Sequence, residues 1–178
     1  MKPKFTELDA IAAADEWGFN CGPAAVAAIC GLSIAELRPH LLDFEQKQYT
    51  NPTLMWGILR SLGLHLGLRW RMQTGTPGGL SWPNRGLARV QWEGPWMAAG
   101  VPMAARYRQT HWVGCHGLNR NNIGIWDVNC LNNGSGWVSL EDWTAITVPF
   151  ITRSIKRTNG KWHLTHSVEI ELPRAATA

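Results

Sequence analysis

The spacing of apolar residues changes its period once along this 178-residue chain, near residue 64, and that switch constrains the fold more than any other feature. Before it, apolar side chains recur every three or four positions. Val26, Ile29 and Cys30 mark the buried stripe of a short helix that begins at Asn20 or Cys21, carries Pro23 in its first turn and stops at Gly31. Ser33 caps a second run through Ile34, Leu37, Leu41 and Leu42, bent or ended by Pro39, and Thr53 to Leu62 forms a third before Gly63. From Leu66 onward the period is two, with Leu66, Leu68, Trp70 and Met72 alternating with Gly67, Arg69 and Arg71. Further strands are expected near Ala88 to Trp92, Met103 to Tyr107, His111 to His116 and Ile123 to Val128, with a loop at Gly75 to Gly79. A helix-like stretch, Ser139 to Trp143, precedes an expected hairpin of Ile151 to Arg157 and Trp162 to Glu171, turned at Thr158-Asn159-Gly160. The expected class is α+β in one domain, residues 1–178, made of a helical part (1–64), an antiparallel sheet part (65–150) and a C-terminal β-hairpin extension (151–173).

A chain of this length buries about 70% of its unfolded surface without disulfide or metal support. Cysteines at 21, 30, 115 and 130 show no short-range pairing pattern, and the start of the chain has no apolar signal core, so reduced thiols in a cytoplasmic protein are expected. No apolar run reaches the roughly 18 residues of a membrane span. The net charge of +4 is mild and its basic residues are scattered, which argues against a nucleic-acid partner. Cys115, His116 and Cys130 do not form a zinc set, because neighbours on a strand point to opposite faces and no Cys-x-x-Cys pair exists. No metal and no cofactor are expected. His163 and His166 read as packing or surface residues, and most of the eleven tryptophans as core.

Chemistry concentrates elsewhere. Cys21 opens an apolar helix, where unpaired N–H groups and the helix dipole favour a thiolate and can also hold a developing oxyanion. Cys30, nine residues on, is half a turn out of phase and reads as packing. The turn-forming run Leu118-Asn119-Arg120-Asn121-Asn122 joins two strand-like segments and brings His111 opposite residues 127 to 130. On a period of two, Asp127 and Asn129 share a face, so either one is placed to orient the His111 ring. Thiol, base and orienter then supply the general triad logic.

These residues resemble the papain-like cysteine peptidases, and among them the bacteriocin-leader (double-glycine) peptidase-like branch. The likeness is carried by Asn20-Cys21-Gly22-Pro23-Ala24-Ala25, by His111-Trp112-Val113-Gly114 and by Ile125-Trp126-Asp127, and it spans roughly residues 14 to 130. It implies a helix packed on an antiparallel sheet, nucleophile Cys21, base His111, orienter Asp127 and a peptide or protein substrate cleaved at an amide or isopeptide bond. It also implies a glutamine five or six residues before the cysteine as an oxyanion donor, where this chain has Asp15 and Glu16. A carboxylate accepts hydrogen bonds and repels an oxyanion. The Asn20 side chain, the Cys21 backbone N–H or a buried protonated carboxyl are the substitutes on offer. Trp17, Asp15 and Glu16 are the expected lining of the substrate cleft, with Trp112 and Trp126 lining it or packing beneath the sheet. Two functions follow: a cysteine-dependent hydrolase or acyltransferase, or a catalytically weak or inactive fold that binds or assembles a partner.

Overall fold

Local chemistry starts each of the N-terminal helices. In the computed structural model, which describes residues 5–18, 20–64, 67, 69–72, 80–119 and 122–171, Thr6 caps α1 (Glu7–Trp17) through a reciprocal box with Asp9. Helix α2 (Cys21–Cys30) has Pro23 in its first turn and the left-handed Gly31 at its end. Ser33 and Glu36 box the start of α3 (Ile34–Leu37), which tightens at Pro39 into a 3-10 turn, Arg38–His40. After α4 (Phe44–Lys47), Asn51 caps α5 (Pro52–Ser61), whose Leu54, Met55, Ile58 and Leu59 form the buried stripe.

The strands are β1 (Arg69–Met72), β2 (Arg85–Trp92), β3 (Thr110–Asn119), β4 (Asn122–Trp126), β5 (Trp137–Ser139) and β6 (Trp162–Glu169), with the short helix α6 (Met103–Arg106) between β2 and β3. They form one six-stranded antiparallel sheet in the order β1-β6-β2-β3-β4-β5. The α+β class holds. Leu66, Leu68 and the Gly75 to Gly79 loop lie outside the described residues.

The sheet is covered on both faces. Leu87, Trp112 and Val168 pack against the helices of the N-terminal part, and Gly114 lets α2 lie close on β3, since a Cβ there would come within 2.9 Å of the Ile29 side chain. On the opposite face Val90, Val113, Ile125 and Leu164 meet Trp143 and Val148.

Two expected strands are helices instead. Met103 to Tyr107 becomes α6, because Met-Ala-Ala-Arg has no β-branched residue and Pro102 suits the start of a helix. The expected C-terminal hairpin is absent: its first arm lies in a helical segment running through α7 (Leu140–Asp142), a π turn (Trp143–Thr147) and α8 (Val148–Ser154). Its apolar residues Trp143, Val148 and Ile151 recur every three to five positions, which is a helical spacing. Its second arm is β6, which sits between β1 and β2 inside the sheet and is not an extension of it. Among the described residues no single helix is long and apolar enough to cross a membrane.

Candidate active site

Cys21 is the first residue of α2 and is half-buried. The first intrahelical bond is donated by Ala24 N–H to the Asn20 carbonyl, so the N–H groups of Cys21 and Gly22 have no partner inside the helix and Pro23 has none to offer. Gly22 is required by a close approach: a Cβ there would meet Thr50 Oγ1 at 2.4 Å.

His111 stands near the start of β3, 5% exposed, paired across the sheet with Val90 and stacked on the Trp92 ring at 6.2 Å. β4 ends at Trp126, and Asp127 caps the 3-10 turn Val128–Asn133. That cap turns the buried Asp127 carboxylate toward His111, with Oδ2 2.9 Å from Nε2. The ring N–H is not aligned as in a full hydrogen bond, so charge attraction carries this contact. The ring also lies close enough to the Cys21 sulfur for imidazole and thiol to shift each other's protonation.

Three groups donate to the Asp127 carboxylate. Trp143 Nε1 reaches Oδ2 at 2.8 Å, while Asn129 reaches Oδ1 through its backbone N at 2.9 Å and its Nδ2 at 2.8 Å. Asn129 thus steadies the orienter and is not itself the orienter of His111, which corrects the alternative left open by strand parity. The 3-10 turn breaks the alternation at Val128 and redirects the Asn129 side chain.

Burial works against every charge in this cluster, and its partners outweigh burial. For Asp127, burial pushes the carboxyl up, but His111, Trp143 and Asn129 hold it below the ordinary value. Burial pulls His111 down, yet Asp127 and Cys21 raise it well above the ordinary histidine value. Burial pushes Cys21 up, and His111 together with the Trp112 backbone N–H brings it below an ordinary thiol. The other cysteines lack this company: burial lifts Cys30 to about 11 and raises Cys115 and Cys130 as well. A thiolate–imidazolium pair held by a carboxylate is a nucleophile with its proton already on the base.

The expected cleft and oxyanion groups fall elsewhere. Trp17 is buried, donates Nε1 to Glu45 Oε1 at 3.1 Å and lies under Arg38, while Glu16 pairs with Arg38. Asp15 is exposed on α1. Trp17 is therefore core and not a cleft wall, and neither exposed carboxyl is a buried protonated one. Asn20 Nδ2 donates to Ala10 O at 3.3 Å, which ties that amide to α1. The Cys21 backbone N–H is the oxyanion candidate that survives. Trp112 and Trp126 are buried beneath the sheet, against the N-terminal helices.

Sequence reasoning did not find Trp143, which joins the site through its N–H, or Arg89. The Arg89 guanidinium is buried on β2, where the charge of Cys21 favours its charged form. Neither has a spacing that betrays it; the abundance of tryptophan was the one available signal. Compared with protein-family models, curated proteins and solved structures, the chain matches none.

Proposed function

We propose that this chain is a papain-like, cysteine-dependent hydrolase or acyltransferase acting on an amide or isopeptide bond of a peptide or protein. One observation carries the reading: His111, whose Nε2 lies 2.9 Å from the buried Asp127 carboxylate, is close enough to the Cys21 thiol at the start of α2 for each to shift the other's protonation. In this mechanism the Cys21 thiolate attacks the carbonyl carbon, and the oxygen takes the negative charge at the N-terminus of α2, beside the Cys21 N–H. The intermediate collapses as the C–N bond breaks, and the His111 imidazolium gives its proton to the leaving amine. Neutral His111 then takes a proton from water, or from an acceptor amine, which attacks the thioester and releases Cys21 as thiolate. Asp127 keeps the ring oriented and stabilises its charged form.

A second reading, a binding or assembly protein on this fold, is favoured by the oxyanion region. Asp15 and Glu16 stand where a donor amide is expected, and the Asn20 amide is engaged with Ala10. Lacking one such donor lowers rates by about 10²–10³. Alkylation of each cysteine followed against pH by mass spectrometry separates the two. The enzyme reading expects Cys21 to react well below an ordinary thiol pKa of about 8.5 and to lose that advantage in His111→Ala. A Cys21 no faster than Cys30 would sink it.

A further inference from the structure

Among the described residues Arg89 is the cation of the site that has no carboxylate partner, its guanidinium lying over the Tyr107 ring at 6.0 Å from the centroid. Its side chain is 6% exposed, on the face of the sheet that carries Trp112, with which it pairs across β2 and β3. Nη2 donates to Thr110 Oγ1 at 3.0 Å and to the Tyr107 carbonyl at 3.4 Å, both neutral acceptors, and Nε is buried without any partner. No carboxylate among the described residues pairs with it. The neighbouring imidazole on β6, His166, is pushed down to about 4 by burial and by this cation, so it is neutral at pH 7 and offers no countercharge. A guanidinium held in this way, away from water and without a carboxylate, is unfavourable unless something else supplies the anion.

Among the described residues the groups whose negative charge favours the guanidinium are the Cys21 thiolate first and Tyr107 second, neither of them a carboxylate. A second orphan lies in the same neighbourhood. Thr50 Oγ1 is buried without a partner, directly against Gly22, and the Thr50 carbonyl is held by Trp112 Nε1 at 2.9 Å. The unpartnered Arg89 Nε–H and the Thr50 hydroxyl, both on the nucleophile's side of the sheet, are donors suited to the two oxygens of one anion.

We propose that Arg89 receives a carboxylate of the substrate, so that the bond attacked by Cys21 lies beside a free α-carboxylate or an acidic side chain. This rests on the reading of Cys21 as a nucleophile. The carboxylate would complete the buried guanidinium and fix the scissile carbonyl over the thiolate at the same time, and an amide-capped or neutral analogue would leave Arg89 unpaired.

Two alkylating probes test it without knowledge of the natural substrate. Iodoacetate carries a carboxylate next to the carbon that a thiolate attacks; iodoacetamide carries the neutral amide. The ratio of their rates at Cys21 cancels the thiolate fraction, and its change between wild type and an Arg89 variant at one pH, where His111 is the same in both, isolates Arg89. The wild type is expected to prefer iodoacetate, and Arg89→Met to lower the ratio by about tenfold or more, the factor for one charge-assisted contact. Arg89→Lys, which keeps the charge but loses the Nε–H, is expected to fall between them and serves if the Met variant does not fold. An unchanged ratio in both variants overturns the inference even when Cys21 remains fast with iodoacetamide, whereas a slow Cys21 overturns the nucleophile instead. N-acetylglycine and N-acetylglutamate α-amide, used to protect Cys21 from iodoacetamide, separate the two sources of carboxylate. The one that protects the wild type and not Arg89→Met names the source, and protection indifferent to Arg89 counts against the proposal.

Discussion

Trp143 donates its indole N–H to Asp127 at 2.8 Å while its ring stacks 6.3 Å from Trp92, which in turn stacks on His111. The carboxylate and the imidazole of the site are therefore braced by one continuous aromatic layer on the face covered by α7 and α8. Trp143→Phe keeps the stack and removes the donor. A buried carboxylate that loses one hydrogen bond costs about 1–3 kcal/mol, and the Asp127 carboxyl is expected to rise toward the ordinary value. Chemical denaturation gives the first quantity, and the acid limb of Cys21 alkylation, shifted to higher pH, gives the second. An unchanged acid limb would leave Trp143 as packing alone.

The thiolate–imidazolium pair fixes the sign of the stability profile. His111, raised in the folded state, contributes stability that is full below its unfolded value of about 6.5 and is lost as pH rises through its folded value. Cys21, lowered in the folded state, contributes stability present above its unfolded value of about 8.5 and lost as pH falls through its folded value. Between those unfolded values each state binds one proton on the pair, so its contribution is flat. Below about 6.5 the unfolded chain binds one proton more, and above about 8.5 one fewer, each giving a slope of about 1.4 kcal/mol per pH unit. Cys21→Ala is expected to lose the acid slope just below about 6.5 and to keep an alkaline one, as read from midpoints of urea unfolding against pH. Retention of both slopes in the variant would show that the pair is not ionised.

Gly22→Ala places a methyl group 2.4 Å from Thr50 Oγ1, a separation that forces α2 or the Thr50 loop to move. The expected result is a Cys21 alkylation rate lowered about tenfold or more, because a displaced helix start breaks the contact with His111. Thr50→Gly in the same chain removes the obstructing side chain and should restore most of the rate. Absence of rescue would place the defect in the helix itself.

Ile29→Ala separates stability from reactivity. Ile29 is 4% exposed and fills the seam between α2 and β3 at Gly114. A loss of about 2–5 kcal/mol is expected for such a buried truncation. The pH at which Cys21 becomes reactive should stay where it is, since Ile29 carries no charge and makes no hydrogen bond with its side chain.

Much of this site was legible because it depends on short-range rules. The helix start at Cys21 follows from Pro23 and Gly31, and the approach of His111 to Asp127 follows from a turn-forming run and a period of two. The demotion of Asn129 was not legible, since it depends on where β4 yields to a 3-10 turn. Trp143 and Arg89 escaped for another reason: their partners are brought to them by tertiary packing, and no local pattern encodes a buried indole donor or an unpaired guanidinium. The C-terminal hairpin failed because strand-forming residues in Ile151 to Arg157 are outweighed by helical spacing across Trp143, Val148 and Ile151. The adjacency of two segments in the chain then suggested a pairing that the sheet does not make.

The place of β6 has a consequence for the order in which the sheet can be completed. The thiol is carried by residue 21, its base by residue 111 and the brace of its orienter by residue 143, while the strand that joins β1 to β2 comes later still, at Trp162–Glu169. A ribosome exposes Cys21 long before anything can ionise it. Until β6 slots into the middle of the sheet, β1 has no neighbour and β2 presents an open edge, so the long-range pairings that complete the molecule form last and slowly. The groups that lower Cys21 lie outside β6, yet the sheet that holds His111 and Asp127 in place is complete only once residues 162–169 have been made.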